Sequence, residues 1–393
     1  MRVLMVSDVY FPRVNGVSTS IETFRKTLHR MGVEVRLVVP RYRDEAAEPG
    51  IVRVAGRALP GDPEDRLVGW RSMHREVLAA AQDCDLIHIQ TPFIAHYAGL
   101  KAARKLGLPV VATYHTLFEE YLQHYAPLIP SSWLRGQARA FSRRQCNALD
   151  GIVVPSTAMR ERLTSYGVKT PLHVLPTGIP LERFSGGSRH AFRYKHGILS
   201  TRPVALFVGR VAHEKNIDFL LQALVHALKT RPDLLLVIAG EGPATEDLKR
   251  RVVALGLRDS VHFIGYLDRQ KELPDCYAAA DVFAFASQTE TQGLVLLEAM
   301  AAGLPVIALA EMGTRDILDA QRGAITPPAE ARAFGEALAD FVNRPAAWSH
   351  LRHEAPEYAR EWSDVAMAGR LAGLYAQMVG RKFDPEMVST ATA

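Results

Sequence analysis

The sequence predicts an α/β protein built from two doubly wound, mostly parallel sheets, one per domain. Short β-rich runs alternate with longer helical patterns through almost all of its 393 residues. Several runs are apolar on consecutive positions, as parallel strands covered on both faces require. The alternation pauses once, at Pro176-Thr177-Gly178-Ile179-Pro180 and Ser185-Gly186-Gly187-Ser188, and restarts at Val204-Ala205-Leu206-Phe207-Val208-Gly209. That pause divides the chain in two.

In the first half the expected strands are 3–7, 33–39, 86–90, 110–114 and 152–155, with helices such as 18–31 and 97–106 between them. In the second half they are 204–209, 234–239, 261–264, 282–284 and 306–309. The domains are set at 1–185 and 186–364, within a border zone of 178–202. Ligands of such sheets are expected at the carboxyl ends of the strands. The last ~15 residues read as frayed.

Composition narrows the class. The chain is 48% hydrophobic and 23% charged, an ordinary globular balance. Its apolar start is too short for a signal-peptide core, and no apolar run approaches the ~20 residues needed to span a bilayer. A soluble or peripheral protein is expected. Cys84, Cys146 and Cys276 are odd in number and far apart, which suits a reducing cytoplasm. Residues 1–178 hold 23 Lys+Arg against 16 Asp+Glu, and residues 179–393 hold 24 against 26. A basic first half suits nucleic acid, an anionic membrane or a phosphorylated ligand. An excess this small is also what scattered solubilising charge produces.

The first strand is followed by Asp8-Val9-Tyr10-Phe11-Pro12-Arg13-Val14-Asn15-Gly16-Val17-Ser18. A dinucleotide site wants Gly-x-Gly-x-x-Gly there, so a nicotinamide dehydrogenase is disfavoured. Gly16, before a helix with Ser18 as its expected N-cap, would let a phosphate reach backbone N–H groups, or is a plain turn glycine. After the strand 204–209, Arg210 and Lys215 put two cations at the sheet mouth, where a diphosphate fits. In Thr289-Glu290-Thr291-Gln292-Gly293-Leu294-Val295-Leu296-Leu297-Glu298, seven residues separate the two glutamates. Glu290 falls in a loop, and Gly293, Leu294 and Val295 offer amides at a helix start. Glu298 lies among apolar neighbours and needs a partner, for which ribose hydroxyls would serve. His115 should look into the ligand side, whether as a structural or a ligand-facing histidine. Asp83-Cys84-Asp85 spells a metal-binding Asp-x-Asp but precedes its strand, at the wrong end. Gly240-Glu241-Gly242-Pro243 reads as a tight turn, with close approach to a ligand as the lesser reading.

Together these residues resemble glycosyltransferase family 4, retaining enzymes of the GT-B fold, over roughly residues 1–380. The most specific part is the Glu290-to-Glu298 motif with Ala299-Met300-Ala301-Ala302-Gly303-Leu304-Pro305-Val306. Gly209-Arg210 with Lys215-Asn216 and Asn15-Gly16-Val17 match two further motifs. The resemblance implies two Rossmann-like domains facing across a cleft, with a final helix, 365–380, crossing back onto the first. It implies that Gly16 contacts the donor, that Arg210 and Lys215 neutralise its diphosphate and that Glu298 binds ribose. Glu290 would hold sugar hydroxyls, helped by the Gly293, Leu294 and Val295 amides. Tyr266 and Leu267 would hold the base, and His115 would stand near the reacting sugar. The catalytic set is thus His115, Arg210, Lys215 and Glu290, with no metal and no cofactor beyond the nucleotide-sugar donor.

Thr291-Gln292-Gly293 stands where the family commonly has Gly-Phe-Gly, a departure that bears on how the donor sugar is gripped. This variant, the stretch from Tyr114 to Tyr121 and the opening Phe11–Gly16 loop are similar to the diacylglycerol-glycosylating subgroup. A hexosyl transfer to a lipid such as diacylglycerol, with a UDP-sugar such as UDP-glucose favoured as donor but the sugar left open, is therefore expected, at the inner face of the plasma membrane. A soluble acceptor (inositol, sugar phosphate or cell-wall saccharide), a GDP-mannose donor and a non-catalytic sensor are the alternatives; no nucleic-acid partner is expected. Tyr10, Arg13 and His115 are assigned to the acceptor. Residues 132–146 read as a basic amphipathic helix, with Trp133 or Leu134, Ala138 and Phe141 on one side and Arg135, Arg139 and Arg143 on another. Tyr121, Tyr125, Leu128 and Ile129 would extend the apolar contact. The alternative is a helix packed by its apolar side on its own domain.

Overall fold

A computed structural model describes residues 1–59, 62–115, 131–269 and 271–382. They form two compact units: Met1–Gly178 joined by the segment from Asp364, and Ile179–Ser363.

The first unit holds strands β1 (Arg2–Val6), β2 (Glu34–Arg41), β3 (Ile51–Leu59), β4 (Asp62–Val68), β5 (Leu86–Ile89), β6 (Val110–Thr113), β7 (Gly151–Val154) and β8 (Leu172–Val174). They form one sheet in the order β4-β3-β2-β1-β5-β6-β7-β8. Every pairing is parallel except β3 with β4. Val3, Leu4, Met5 and Val6 are all 0% exposed, which only a strand covered on both faces allows. The chain runs from β1 outward to β2 and later returns to its other side at β5, so the switch point lies at the carboxyl ends of β1 and β5. Strands β3 and β4 were not expected from the sequence. They carry Arg53, Arg57, Asp62, Glu64 and Asp65, the polar character of a sheet edge.

The helix Gly16–Arg30 buries Ile21, Phe24 and Leu28 on the sheet. Its N-cap is Asn15, not Ser18: Asn15 Oδ1 accepts from the Ser18 N–H at 2.8 Å, and Ser18 is buried one turn inside. The helix Asp364–Met378 belongs to this unit, with Met367, Leu371 and Tyr375 in the same core as Val3 and Leu28. Asp364 Oδ2 accepts from Thr27 Oγ1 and pairs with Arg30 Nη2, both at 2.9 Å. Tyr375 reaches the buried His88 of β5 at 2.5 Å.

The second unit is a six-stranded parallel sheet, β9 (Val204–Val208), β10 (Leu235–Ala239), β11 (Val261–Gly265), β12 (Val282–Phe285), β13 (Val306–Ala308) and β14 (Ala324–Ile325). Its order is β11-β10-β9-β12-β13-β14, with the switch between β10 and β12 at the mouth of β9. The unit begins at Ile179, ahead of the border expected at 185. The run Ser185–Ser188 is no linker, because it packs on this unit. The Ser188 N–H donates to Asp275 Oδ1 at 2.6 Å, and a Cβ on Gly187 would lie 2.1 Å from the Pro274 carbonyl oxygen. Among the described residues, no helix is long and apolar enough to cross a membrane.

Candidate active site

In the second unit the predicted residues gather at the carboxyl ends of β9 and β12. Past β9 the chain makes the short helical turn His213–Lys215 and places Asn216 in the left-handed region at φ 54°. The Asn216 amide donates to the Ala286 carbonyl beyond β12 at 3.2 Å, tying the two loops together. Lys215 Nζ then meets Glu290 Oε1 at 2.5 Å, with side chains 21% and 17% exposed. The two expected ligand contacts are therefore a half-buried ion pair, not a lone cation in an exposed loop and a separate carboxylate. Arg210 is more exposed and pairs with Glu214.

Gly293 has φ 93° and precedes the helix Leu294–Ala301, so the Leu294 and Val295 amides stand in its first turn. A Cβ there would sit 2.9 Å from Thr314 Cγ2, so strain and contact both demand glycine. The Gly313 N–H donates to the Glu290 carbonyl at 2.9 Å, which holds the Glu290 loop from behind. The Gly240 turn does make a close backbone approach, but to its own fold. Gly240 has φ 136°, and a Cβ on it would lie 1.9 Å from the Gly209 carbonyl oxygen.

Glu298 is buried as expected, at 3% exposure. Its partners are protein groups rather than ribose alone: Arg269 Nη2 donates to Oε1 at 2.5 Å and Tyr277 Oη to Oε2 at 2.9 Å. Arg269 stands four residues past the end of β11. The Glu298 charge beside it, acting against burial, raises its pKa above the ordinary arginine value. Leu267 is buried, whereas Tyr266 is 65% exposed, and the Tyr266 N–H donates to Glu241 Oε1 at 3.3 Å. Arg269, Tyr277 and Glu241 were missed in the sequence. Arg269 and Tyr277 are legible only through their contact with Glu298.

In the first unit His115 follows β6, and its Nε2 lies 3.1 Å from Gln90 Oε1 beyond β5. With the amide oxygen facing the ring, Nε2–H donates and Nδ1 is left as an acceptor. Burial of its surroundings lowers its pKa to about 4, so the ring is neutral at pH 7. His88 below it spans Tyr375 Oη at 2.5 Å and Thr113 Oγ1 at 2.7 Å, and burial first, then His115, lowers its pKa to about 3. Asp8, also missed, sits beyond β1 with its carboxylate against the helix Ile94–Leu106. Its Oδ1 accepts from the Ala95 N–H at 3.0 Å and its Oδ2 from Thr91 Oγ1 at 2.7 Å. Burial raises its pKa despite these bonds. A Cβ on Gly16 would meet nothing within 4 Å, so nothing in the fold requires glycine there.

Four acceptor-side expectations change. Tyr10 is a core residue at 2% exposure, and its hydroxyl donates to Glu22 Oε2 at 2.5 Å, so it is not presented to a ligand. Arg13 pairs with Asp65 at 3.3 Å. The helix Ser131–Cys146 exists, but it buries Ala138, Ser142, Gln145 and Cys146, while Phe141 is 39% exposed. Ala138 and Phe141 therefore do not share one apolar side. Arg139 lies over the Tyr166 ring at 5.5 Å, and Arg143 Cδ is near Gly167, so this basic edge borders its own unit. The side chains of Trp133 and Arg135 lie outside the described residues, as do residues 116–130 with Tyr121, Tyr125, Leu128 and Ile129.

Asp83 and Asp85 stand before β5, at the amino end. Asp83 pairs with Arg2 and Arg36, and Asp85 accepts from the Arg2 N–H and Arg381. Among the described residues, no three His, Cys, Asp or Glu side chains gather as a metal site would need.

Residues 14–183 match the family described as Glycosyltransferase Family 4, and residues 188–362 match Glycosyl transferases group 1. An alpha-monoglucosyldiacylglycerol synthase of Streptococcus pneumoniae is 36% identical over 78% of this chain and 71% of its own length. A GDP-mannose-dependent alpha-mannosyltransferase of Mycobacterium tuberculosis is 31% identical over 97% and 98%. Among solved structures, sucrose-phosphate synthase from Thermosynechococcus elongatus aligns with a TM-score of 0.77 at 21% identity, over 96% of this chain and 99% of that one. Anabaena HepE in complex with UDP and glucose aligns with a TM-score of 0.74 at 17% identity, over 96% and 100%. With two Rossmann-like units and both halves of the motif set in place, the chain belongs to glycosyltransferase family 4 and is a glycosyltransferase of the GT-B fold.

Proposed function

We propose that this enzyme is a retaining, metal-independent hexosyltransferase that moves a hexose from a nucleotide sugar, UDP-glucose favoured, to a membrane lipid such as diacylglycerol. The observation that carries the donor half is the Lys215–Glu290 pair at 2.5 Å beside the Gly293 helix start. A departing diphosphate gains negative charge, for which Lys215, Arg210 and the Leu294 and Val295 amides are preorganised. Glu290 steers Lys215 and accepts from sugar hydroxyls. Breaking the sugar–phosphate bond gives the ring positive character. A same-face substitution, in which the leaving phosphate takes the acceptor's proton, needs no carboxylate nucleophile. Neutral His115 offers hydrogen bonds, not charge, to a ligand at the carboxyl end of the first unit's sheet. The cations take over the charge neutralisation a metal would supply, and the Asp83 and Asp85 carboxylates are already committed to arginines.

The lipid half is supported by the diacylglycerol-synthase relative and by exposed aromatics of the first unit. Phe93 is 57% exposed, Tyr97 45% and Phe141 39%. Gln145, one turn past Phe141, donates to the Pro92 carbonyl at 2.6 Å and so ties that helix beside Phe93. These side chains support peripheral attachment to an anionic inner-face membrane through this side. The mannosyltransferase relative, which covers nearly the whole chain, favours GDP-mannose as the second donor reading. The test is a hydrolysis screen across UDP-glucose, UDP-galactose, UDP-glucuronate and GDP-mannose, repeated with diacylglycerol vesicles. Turnover of UDP-glucose that rises with vesicles is expected. Stimulation by a soluble acceptor alone would overturn the lipid half.

A further inference from the structure

Glu298 is held by two donors of different standing. Tyr277, on the helix Glu272–Ala279, is fully buried and part of the core. Arg269 arrives from the loop after β11 and keeps 38% of its side chain exposed. A buried carboxylate needs a partner to stay charged. Glu298 has one that lies partly in solvent, on the segment that carries Tyr266 and Leu267. That segment is fastened a second time, through the Tyr266 N–H on Glu241. A carboxylate has about four acceptor positions. Among the described residues, Arg269 and Tyr277 take one on each oxygen, which leaves one on each for a pair of adjacent hydroxyls.

We infer that Arg269 is a positioning residue of the nucleotide site. Its guanidinium sets the Glu298 carboxylate for a vicinal diol, while the segment that carries Tyr266 and Leu267 is held separately, through the Tyr266 N–H on Glu241. The inference rests on the nucleotide-sugar reading of the site. Its specific consequence is that Arg269 acts through the ribose hydroxyls and not as a general cation for the diphosphate. Lysine, a point charge without the planar fork, replaces it only in part.

Calorimetry with UDP and with 2′,3′-dideoxy-UDP separates these roles through a double-mutant-style cycle. Arg269→Ala is expected to weaken UDP binding about tenfold while changing dideoxy-UDP binding less than twofold, and Arg269→Lys to fall between. Arg269→Ala combined with Glu298→Gln removes the uncompensated carboxylate; thermal melts of it and of Arg269→Ala report folding. An equal loss for both nucleotides in folded variants, or no loss for either, would overturn the inference while leaving the donor site standing. If the wild type binds neither UDP nor GDP, the donor-site reading fails, and the inference with it.

Discussion

Removing the Lys215 ammonium tests the leaving-group chemistry, and the structure sets what else the change does. At ~4 Å from a phosphate charge, in the effective dielectric of a partly exposed site, one cation is worth about 4 kcal/mol. Deleting one preorganised donor from such sites costs roughly 2.7–4 kcal/mol of barrier. Lys215→Ala is therefore expected to lower kcat by about a hundredfold to a thousandfold. The change also strands Glu290, whose side chain is 17% exposed and whose partner is 2.5 Å away. An unpaired carboxylate at that depth costs about 1–2 kcal/mol after solvent screening, a few degrees in Tm for a unit of this size. Folding and catalysis are thus both affected, and the double variant Lys215→Ala with Glu290→Gln separates them. Neutralising Glu290 should restore most of the lost Tm, but not the lost turnover. The assay is donor turnover by coupled release of nucleoside diphosphate, paired with thermal melts. If the double variant regains near-wild-type turnover, Lys215 and Glu290 are only a structural pair, and the diphosphate assignment is wrong.

Further outcomes follow from the same contacts. Gly16→Ala should leave the melting temperature within error, since its Cβ meets nothing within 4 Å, yet reduce transfer at least tenfold if donor or acceptor passes that loop. Gly240→Ala should instead destabilise the protein, because its Cβ would fall 1.9 Å from the Gly209 oxygen at φ 136°. Burial lowers the pKa of His115 and His96 to about 4 and of His88 to about 3, below the ordinary histidine value. The unfolded chain binds their protons first, so stability is full above about pH 6.5 and falls as the pH drops towards 4. Urea midpoints measured across that window should decline, less steeply in His88→Asn; a flat profile would contradict the buried-neutral assignment. Replacing Phe93 and Phe141 together with serine should weaken sedimentation with anionic vesicles, and equal binding by variant and wild type would remove this face as the anchor.

The fold was legible because β9, and β1 from Val3 onward, are apolar without interruption. Burial on two faces writes that pattern directly into sequence. Strand β4 was hidden because an edge strand has one neighbour and tolerates charged residues, and β3 beside it carries Arg53 and Arg57. The site divided along a similar line. Lys215, Glu290 and Gly293 stand in loops past strand ends or at a helix start, where position alone implies exposure to ligand, and Glu298 stood out as a carboxylate inside an otherwise apolar helix. Arg269 and Tyr277 act on Glu298 across 29 and 21 residues of sequence, and no local spacing reports such a contact. The helix Ser131–Cys146 shows the limit of a helical wheel. Periodicity grouped Ala138 with Phe141, whereas Ser142 and Gln145 are buried because each finds a partner, Tyr114 Oη at 2.9 Å and the Pro92 carbonyl at 2.6 Å. A hydrogen bond made in the fold turned polar residues into the inward face.

The most direct test of the transfer reaction is the structure of its product. UDP-glucose, diacylglycerol vesicles and excess EDTA are incubated with the enzyme, and the glycolipid is isolated for proton NMR of its anomeric centre. Glucosyl-diacylglycerol in the α configuration of the donor, formed at an undiminished rate without divalent metal, is the expected product. A β-linked product, or a reaction that appears only when magnesium or manganese is restored, would contradict that expectation.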